Sequence, residues 1–215
     1  MGKNLIKPEQ MVEVLNVCYE KAVDGVLPGE RSVKKLADDY LRKNSSTEKA
    51  INSLIAYQTT LCSSIGFATG LGGLAVLPVA LPVNVTSTIY LQIRTVAAIA
   101  YMNGYDLNSD QVRVFVFTCL LGNSGREVLK TAGIKFGKKL ALSAIKKIPR
   151  KVLIEINKKI GFRLVTKFGE KGIINFMKLI PLAGAGVGAV VDGVTELAVA
   201  KIAKKLFSRN EILVG

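Results

Sequence analysis

The sequence predicts an all-α protein. It reads as a single compact helical bundle with a buried Gly/Pro-rich apolar helical hairpin and basic amphipathic helices. Three observations predict it. Apolar residues recur at helical spacing along most of the 215-residue chain. From Ala50 to Ile93, 44 consecutive residues carry no formal charge. From Lys130 to Lys171, thirteen Lys or Arg stand against two acids, which supplies eleven of the chain's fourteen net positive charges. With 49% hydrophobic and 21% charged residues, the chain has enough apolar surface to bury a sizeable core, which excludes a disordered polymer.

The first helix is expected over Gln10–Val23, with Met11, Val14, Leu15 and Cys18 on one face, and Leu27-Pro28-Gly29 breaks it. A second follows from Ser32 to Lys43, apolar at Val33, Leu36, Ala37, Tyr40 and Leu41. Ser46 or Thr47 is placed to cap a third, starting near Glu48. There the polar face disappears. Leu61–Val83 holds only Ser63, Ser64 and Thr69 as polar side chains and is long enough to span a bilayer. Its glycines and Pro78 and Pro82 argue for a break: helix to about Gly73, an irregular apolar turn, then helix from Pro82 to Asn103. Gly66 and Gly70 form a GxxxG pair, which permits close helix contact in water or lipid alike. Two environments therefore suit this hairpin, the core of a bundle or a bilayer.

Asn103-Gly104 signals a helix end, and Asn108 or Ser109 opens a helix over Asp110–Leu121. Gly122–Gly125 reads as a loop. Beyond it, Ile134, Leu140, Ala141, Ala144, Ile145 and Ile148 share one side of a helical wheel, opposite Lys135, Lys138, Lys139 and Lys146. Pro149 interrupts the pattern. Lys159, Arg163 and Lys167 then recur every four residues beside Ile156, Ile160, Leu164 and Phe168. The uncharged run Leu179–Val191, again Gly-dense after Pro181, is too short to span a bilayer alone and is expected to pack against the Gly66/Gly70 face. Thr195–Phe207 closes the chain as a helix, apolar at Leu197, Ile202 and Leu206. The organisation is one domain over 1–215: peripheral N-terminal helices to 47, the apolar hairpin region over 48–121, basic helices over 126–178 and a Gly-rich apolar helical region over 179–207.

The absences exclude much chemistry. The chain has no histidine, so Ser-His-Asp and Cys-His catalysis and His-metal sites are closed. Cys18, Cys62 and Cys119 are scattered among apolar neighbours, which suits reduced, buried thiols in a cytosolic setting rather than a metal site or redox pair. Gly70-Leu71-Gly72-Gly73 is followed by Leu74-Ala75, without the Lys and Ser/Thr that a phosphate loop needs. No cofactor or metal is expected. The N-terminal MGKNLIKPEQMVEVL lacks the pattern of a secretory signal, and Ile6 stands where a myristoylation motif has Ser or Thr.

Several segments taken together resemble the EcsC protein family of bacteria. They are GFATGLGGLAVLPVALP (Gly66–Pro82), the NGYD turn (Asn103–Asp106), INKKIGFRLVTKFGEKG (Ile156–Gly172) and KLIPLAGAGVGAVVDGVTELAVAKIAKKLF (Lys178–Phe207). The family more often has YGYD at the turn. The resemblance implies the helical fold and a bacterial source; it implies no activity, cofactor or site residue.

The function expected from the residues is non-enzymatic association with the inner face of the cytoplasmic membrane. Lys138, Lys139, Lys146, Lys147, Lys158, Lys159, Arg163 and Lys167 would meet anionic lipid headgroups. A membrane protein is a further partner that suits this character. Nucleic acid suits it poorly, because the basic face lacks interleaved aromatics. Two alternatives stay open: a pore-forming or membrane-perturbing protein that uses the hairpin, and an enzyme acting on a lipid or acidic substrate. The enzyme would have to rest on Asp106, Asp192 or Glu196 with Thr195, or on a Cys thiolate near lysines.

Overall fold

The computed structural model describes residues 6–25, 30–62, 83–134, 145–168 and 186–208, with only the helical backbone described at 83, 84 and 186–194. Eight helices lie among them: α1 Pro8–Asp24, α2 Val33–Lys43, α3 Thr47–Cys62, α4 Val83–Met102, α5 Asp110–Cys119, α6 Ser124–Thr131, α7 Arg150–Phe168 and α8 Gly186–Phe207. No strand occurs among the described residues, as the helical spacing of the sequence predicts.

α4 is the axis of the bundle. Its apolar side chains from Val85 to Met102 are almost all buried, which marks a helix covered on every side. It packs against α1, α2, α3, α5 and α8. α7 lies on the outside, against α1, α5 and α6. The contact with α1 is close because residue 161 is glycine: a Cβ there would collide with the Pro8 carbonyl oxygen and stand 3.0 Å from Val12 Cγ2.

Local chemistry sets the helix ends. Ser32 Oγ accepts from Lys35 N at the start of α2, and Ser46 Oγ, of the two candidate caps, accepts from Lys49 N at 3.2 Å before α3. Gly104 ends the turn after α4 with φ 80°, a conformation that side-chain-bearing residues seldom adopt.

One buried ion pair fastens α4 to the chain between α1 and α2. Arg94 Nε lies 3.3 Å from Glu30 Oε1, Nη1 donates to the Ala22 carbonyl at 2.9 Å, and Nη2 donates to the Arg31 carbonyl. Tyr90 Oη donates to Glu30 Oε2 at 2.6 Å. Arg94, the only charged residue between Lys49 and Asp106, is thus a structural clamp that satisfies two backbone carbonyls.

Three local expectations are corrected. Gly122–Gly125 is not all loop: α6 begins at Ser124, its Gly125 pressed against the Thr118 carbonyl, where a Cβ would come within 2.5 Å. The closing helix starts before Thr195: α8 runs unbroken from Gly186 to Phe207. Glycine inside a helix costs only about 1 kcal/mol, too little to end one by itself. Leu197, expected to be apolar packing, is 38% exposed. The expectations for the Gly66–Pro82 hairpin, its contact with Pro181–Val191 and the wheel from Lys135 to Ala144 fall outside the described side chains.

Candidate functional site

The basic residues divide by where α7 places them. Its inner face buries Leu153, Ile156, Ile160, Gly161 and Leu164. On one flank, the three cations spaced four apart are tied to neighbouring helices. Lys159 Nζ donates to Thr131 Oγ1 at 2.9 Å, and Arg163 Nη2 pairs with Glu127 Oε2 at 3.1 Å. Lys167 Nζ donates to the Leu120 carbonyl at 3.1 Å, at the end of α5, and sits 5.0 Å from the centre of the Phe168 ring. A lysine at a helix C-terminus satisfies an orphan carbonyl. Burial lowers the pKa of Lys167.

The outermost row of α7 is different. Lys151, Ile154, Lys158 and Phe162 follow one another at three- and four-residue steps and are all exposed. Phe162 is 63% exposed and Ile154 48%. Lys146, Lys147 and Arg150 are exposed in the turn before the row and at its start. None of these five cations has a hydrogen-bond or ion-pair partner among the described residues. Lys138 and Lys139 lie outside the described residues. Ile154, Phe162, Arg150 and Lys151 were missed in the sequence. The clue was present: Ile154 and Phe162 are eight apart with Lys158 midway, so they share a row that the buried Ile156–Leu164 row does not include.

A second site lies inside the bundle. Glu196 on α8 is fully buried, with Thr95 of α4 and Cys62 of α3 beside its carboxyl. Neither carboxyl oxygen has a partner at hydrogen-bonding geometry among the described residues. The Thr95 hydroxyl, beside the carboxyl, donates to the Leu91 carbonyl at 3.0 Å. Burial pushes the Glu196 pKa up to about 7, and the neighbouring Thr95 and Cys62 offset only part of that.

The registers of the helices show what else shares this level. Lys204 of α8 reaches Glu48 and Asn52 of α3, at 3.6 and 2.7 Å, while Glu196 meets Cys62. The two helices are therefore antiparallel, and Gln58 comes level with Glu196. Tyr105 stacks edge-on against Phe207 with centroids 5.0 Å apart, while Thr95 meets Glu196. α4 and α8 are therefore parallel, and Gln92 comes level with Cys62. Gln58 and Gln92 are buried, and Gln58 Oε1 and both amide atoms of Gln92 lack partners among the described residues.

The other candidates for enzyme chemistry stand apart. Asp106 is exposed in the NGYD turn, where its Oδ1 accepts from Asn108 N at 3.0 Å. The Asp192 side chain is outside the description. Cys18 and Cys119 are buried among apolar side chains, as expected, and burial pushes the Cys18 pKa up to about 12. Cys62 is the exception: half-buried, and beside an acid.

Fold and sites together define an all-helical protein with a basic, partly apolar outer helix and, among the described residues, a fully buried acid, Glu196, in its core. The chain belongs to the EcsC protein family, whose family model matches residues 3–209. No curated protein and no solved structure matches it. Among the described residues, no helix is long and apolar enough to cross a membrane.

Proposed function

We propose that this protein binds the surface of an anionic membrane peripherally, through the outer row of α7 and the cationic turn before it. The inner face of the cytoplasmic membrane is the setting proposed for it. The observation that supports this is the pairing of two exposed large apolar side chains, Ile154 and Phe162, with Lys151 and Lys158 in one row. A solvated basic face has no use for an exposed phenyl ring. At a lipid surface the ring enters the headgroup–acyl boundary, where burying such a side chain is worth about 1.5–3 kcal/mol. Each Lys or Arg near anionic headgroups adds about 1 kcal/mol. Neither contribution needs a bilayer-spanning helix.

Co-sedimentation tests the proposal. The protein should pellet with vesicles containing phosphatidylglycerol or cardiolipin, and far less with phosphatidylcholine vesicles. Binding should weaken as salt shortens the reach of charge to about 8 Å at physiological ionic strength. Equal pelleting with both vesicle types would reject the electrostatic part of the mechanism.

A further inference from the structure

We propose that the buried layer formed by Gln58, Gln92, Thr95 and Glu196 is a binding site for a small monovalent cation, which enters as Glu196 gives up its proton. The argument starts from unmet hydrogen bonds. Gln58, Gln92 and Glu196 leave five polar atoms without partners among the described residues, in the interior of three packed helices. Each such group costs about 1–3 kcal/mol unless something satisfies it. Four of the five are oxygens. Thr95 adds a fifth oxygen, its hydroxyl donating to the Leu91 carbonyl. Once Glu196 is ionised, the donors facing these acceptors are the amide of Gln92 and the thiol of Cys62. A layer so rich in acceptors calls for an occupant that accepts lone pairs: a hard metal cation or an ammonium group.

Charge decides the valence. Among the described residues Glu196 is the one acid of the layer, and no ion pair compensates it. The nearest cation in sequence to Thr95, Arg94, is engaged elsewhere with Glu30 and the Ala22 and Arg31 carbonyls. Lys204 lies two turns along α8, against Glu48 and Asn52. Among the described residues no group of three or more His, Cys, Asp or Glu assembles. A divalent ion would therefore keep an uncompensated charge in a buried setting, which is costly. A monovalent ion and one carboxylate cancel.

The exchange balances as written. The carboxylic acid of Glu196 loses one proton to water, its carboxylate takes one monovalent cation, and the layer stays neutral throughout. Proton and cation compete for the same oxygens. The raised pKa of Glu196 puts this competition near neutral pH. The same chemistry serves Na⁺, K⁺, ammonium or a primary alkylammonium.

The test compares thermal unfolding in N-methyl-D-glucamine chloride with that in NaCl, KCl, ammonium chloride and methylammonium chloride. All solutions have equal ionic strength, at pH 5.5 and pH 8.5. At pH 8.5, at least one small cation should raise Tm by about 2 °C or more over the bulky one, since a ligand that binds only the folded state stabilises it. The rise should shrink or vanish at pH 5.5 and be absent from Glu196→Gln, which keeps the shape and removes the charge. The salts that act distinguish a metal ion from an ammonium group. In weakly buffered solution the same cation should release up to one proton per chain from the wild type, a measurement that stands even where the variant fails to fold. Identical Tm in all salts at both pH values would overturn the site. So would a salt effect retained in Glu196→Gln, no proton release, or Mg²⁺ stabilising more than any monovalent ion at equal ionic strength.

Discussion

At the scale of the residue, Glu196 shows what one buried carboxyl does to the stability of the whole. Its pKa is about 7 folded against 4.5 for the free side chain. The folded state therefore holds this proton more tightly than the unfolded state does. Its neutral form carries no penalty below pH 4.5. Stability falls as pH rises from there to about 7, and above that the penalty is complete. The difference corresponds to something on the order of 3 kcal/mol. In buffers lacking small cations, urea unfolding of the wild type should give a midpoint that drops between pH 5 and pH 8. Glu196→Gln should remove that part of the drop and be the more stable protein at pH 8. Parallel pH profiles for the two proteins would show that Glu196 does not titrate in this range. The sequence marks Glu196 only as one acid among three. Its neighbours are Thr95 and Cys62, about a hundred or more positions away, and helical periodicity carries no information about which helices meet.

At the scale of the element, α7 illustrates which signals were legible. Its inner face was: Ile156, Ile160 and Leu164 recur at four and are all buried. Its basic residues were legible as a charge count but not as a surface. Lys159, Arg163 and Lys167 have the regularity of a free cationic stripe, yet each is bonded to α5, α6 or the turn between them. Nothing in a wheel distinguishes a lysine facing water from one facing a carbonyl of another helix. Gly161 was equally silent, since a glycine within a helical pattern reads as a weak point. It is where α7 crosses α1, with the Pro8 carbonyl in the space that a side chain would fill. Gly161→Val should therefore lower stability by about 1–3 kcal/mol by overpacking a tight contact. It should do so without changing the net charge or the outer row. A shift in the urea midpoint too small for about 0.5 kcal/mol would mean that α7 moves away from α1 freely.

At the scale of the whole molecule, the two sets of cations on α7 predict separable behaviour. The outer set comprises Lys151, Lys158 and the neighbouring Phe162, exposed and without a partner among the described residues. The flanking set comprises Lys159, Arg163 and Lys167, which join α7 to the bundle. Replacing Lys151 and Lys158 with Gln and Phe162 with Ser should abolish most pelleting with anionic vesicles. It should leave the unfolding midpoint nearly unchanged, because exposed substitutions away from packed features are usually within about 0.5 kcal/mol. Replacing Lys159, Arg163 and Lys167 with Gln removes three positive charges, one more than the outer variant removes. It should weaken vesicle binding less, and lower stability by about 1–3 kcal/mol through three lost contacts, of which the exposed pairs are worth least. Bulk charge alone predicts the opposite ranking for the vesicles: the variant missing three cations would bind worst. The two explanations thus disagree on the order of two measured numbers. If the flanking variant is the weaker binder, net charge rather than the arrangement of the outer row carries the attraction, and Phe162 and Ile154 have no part in it.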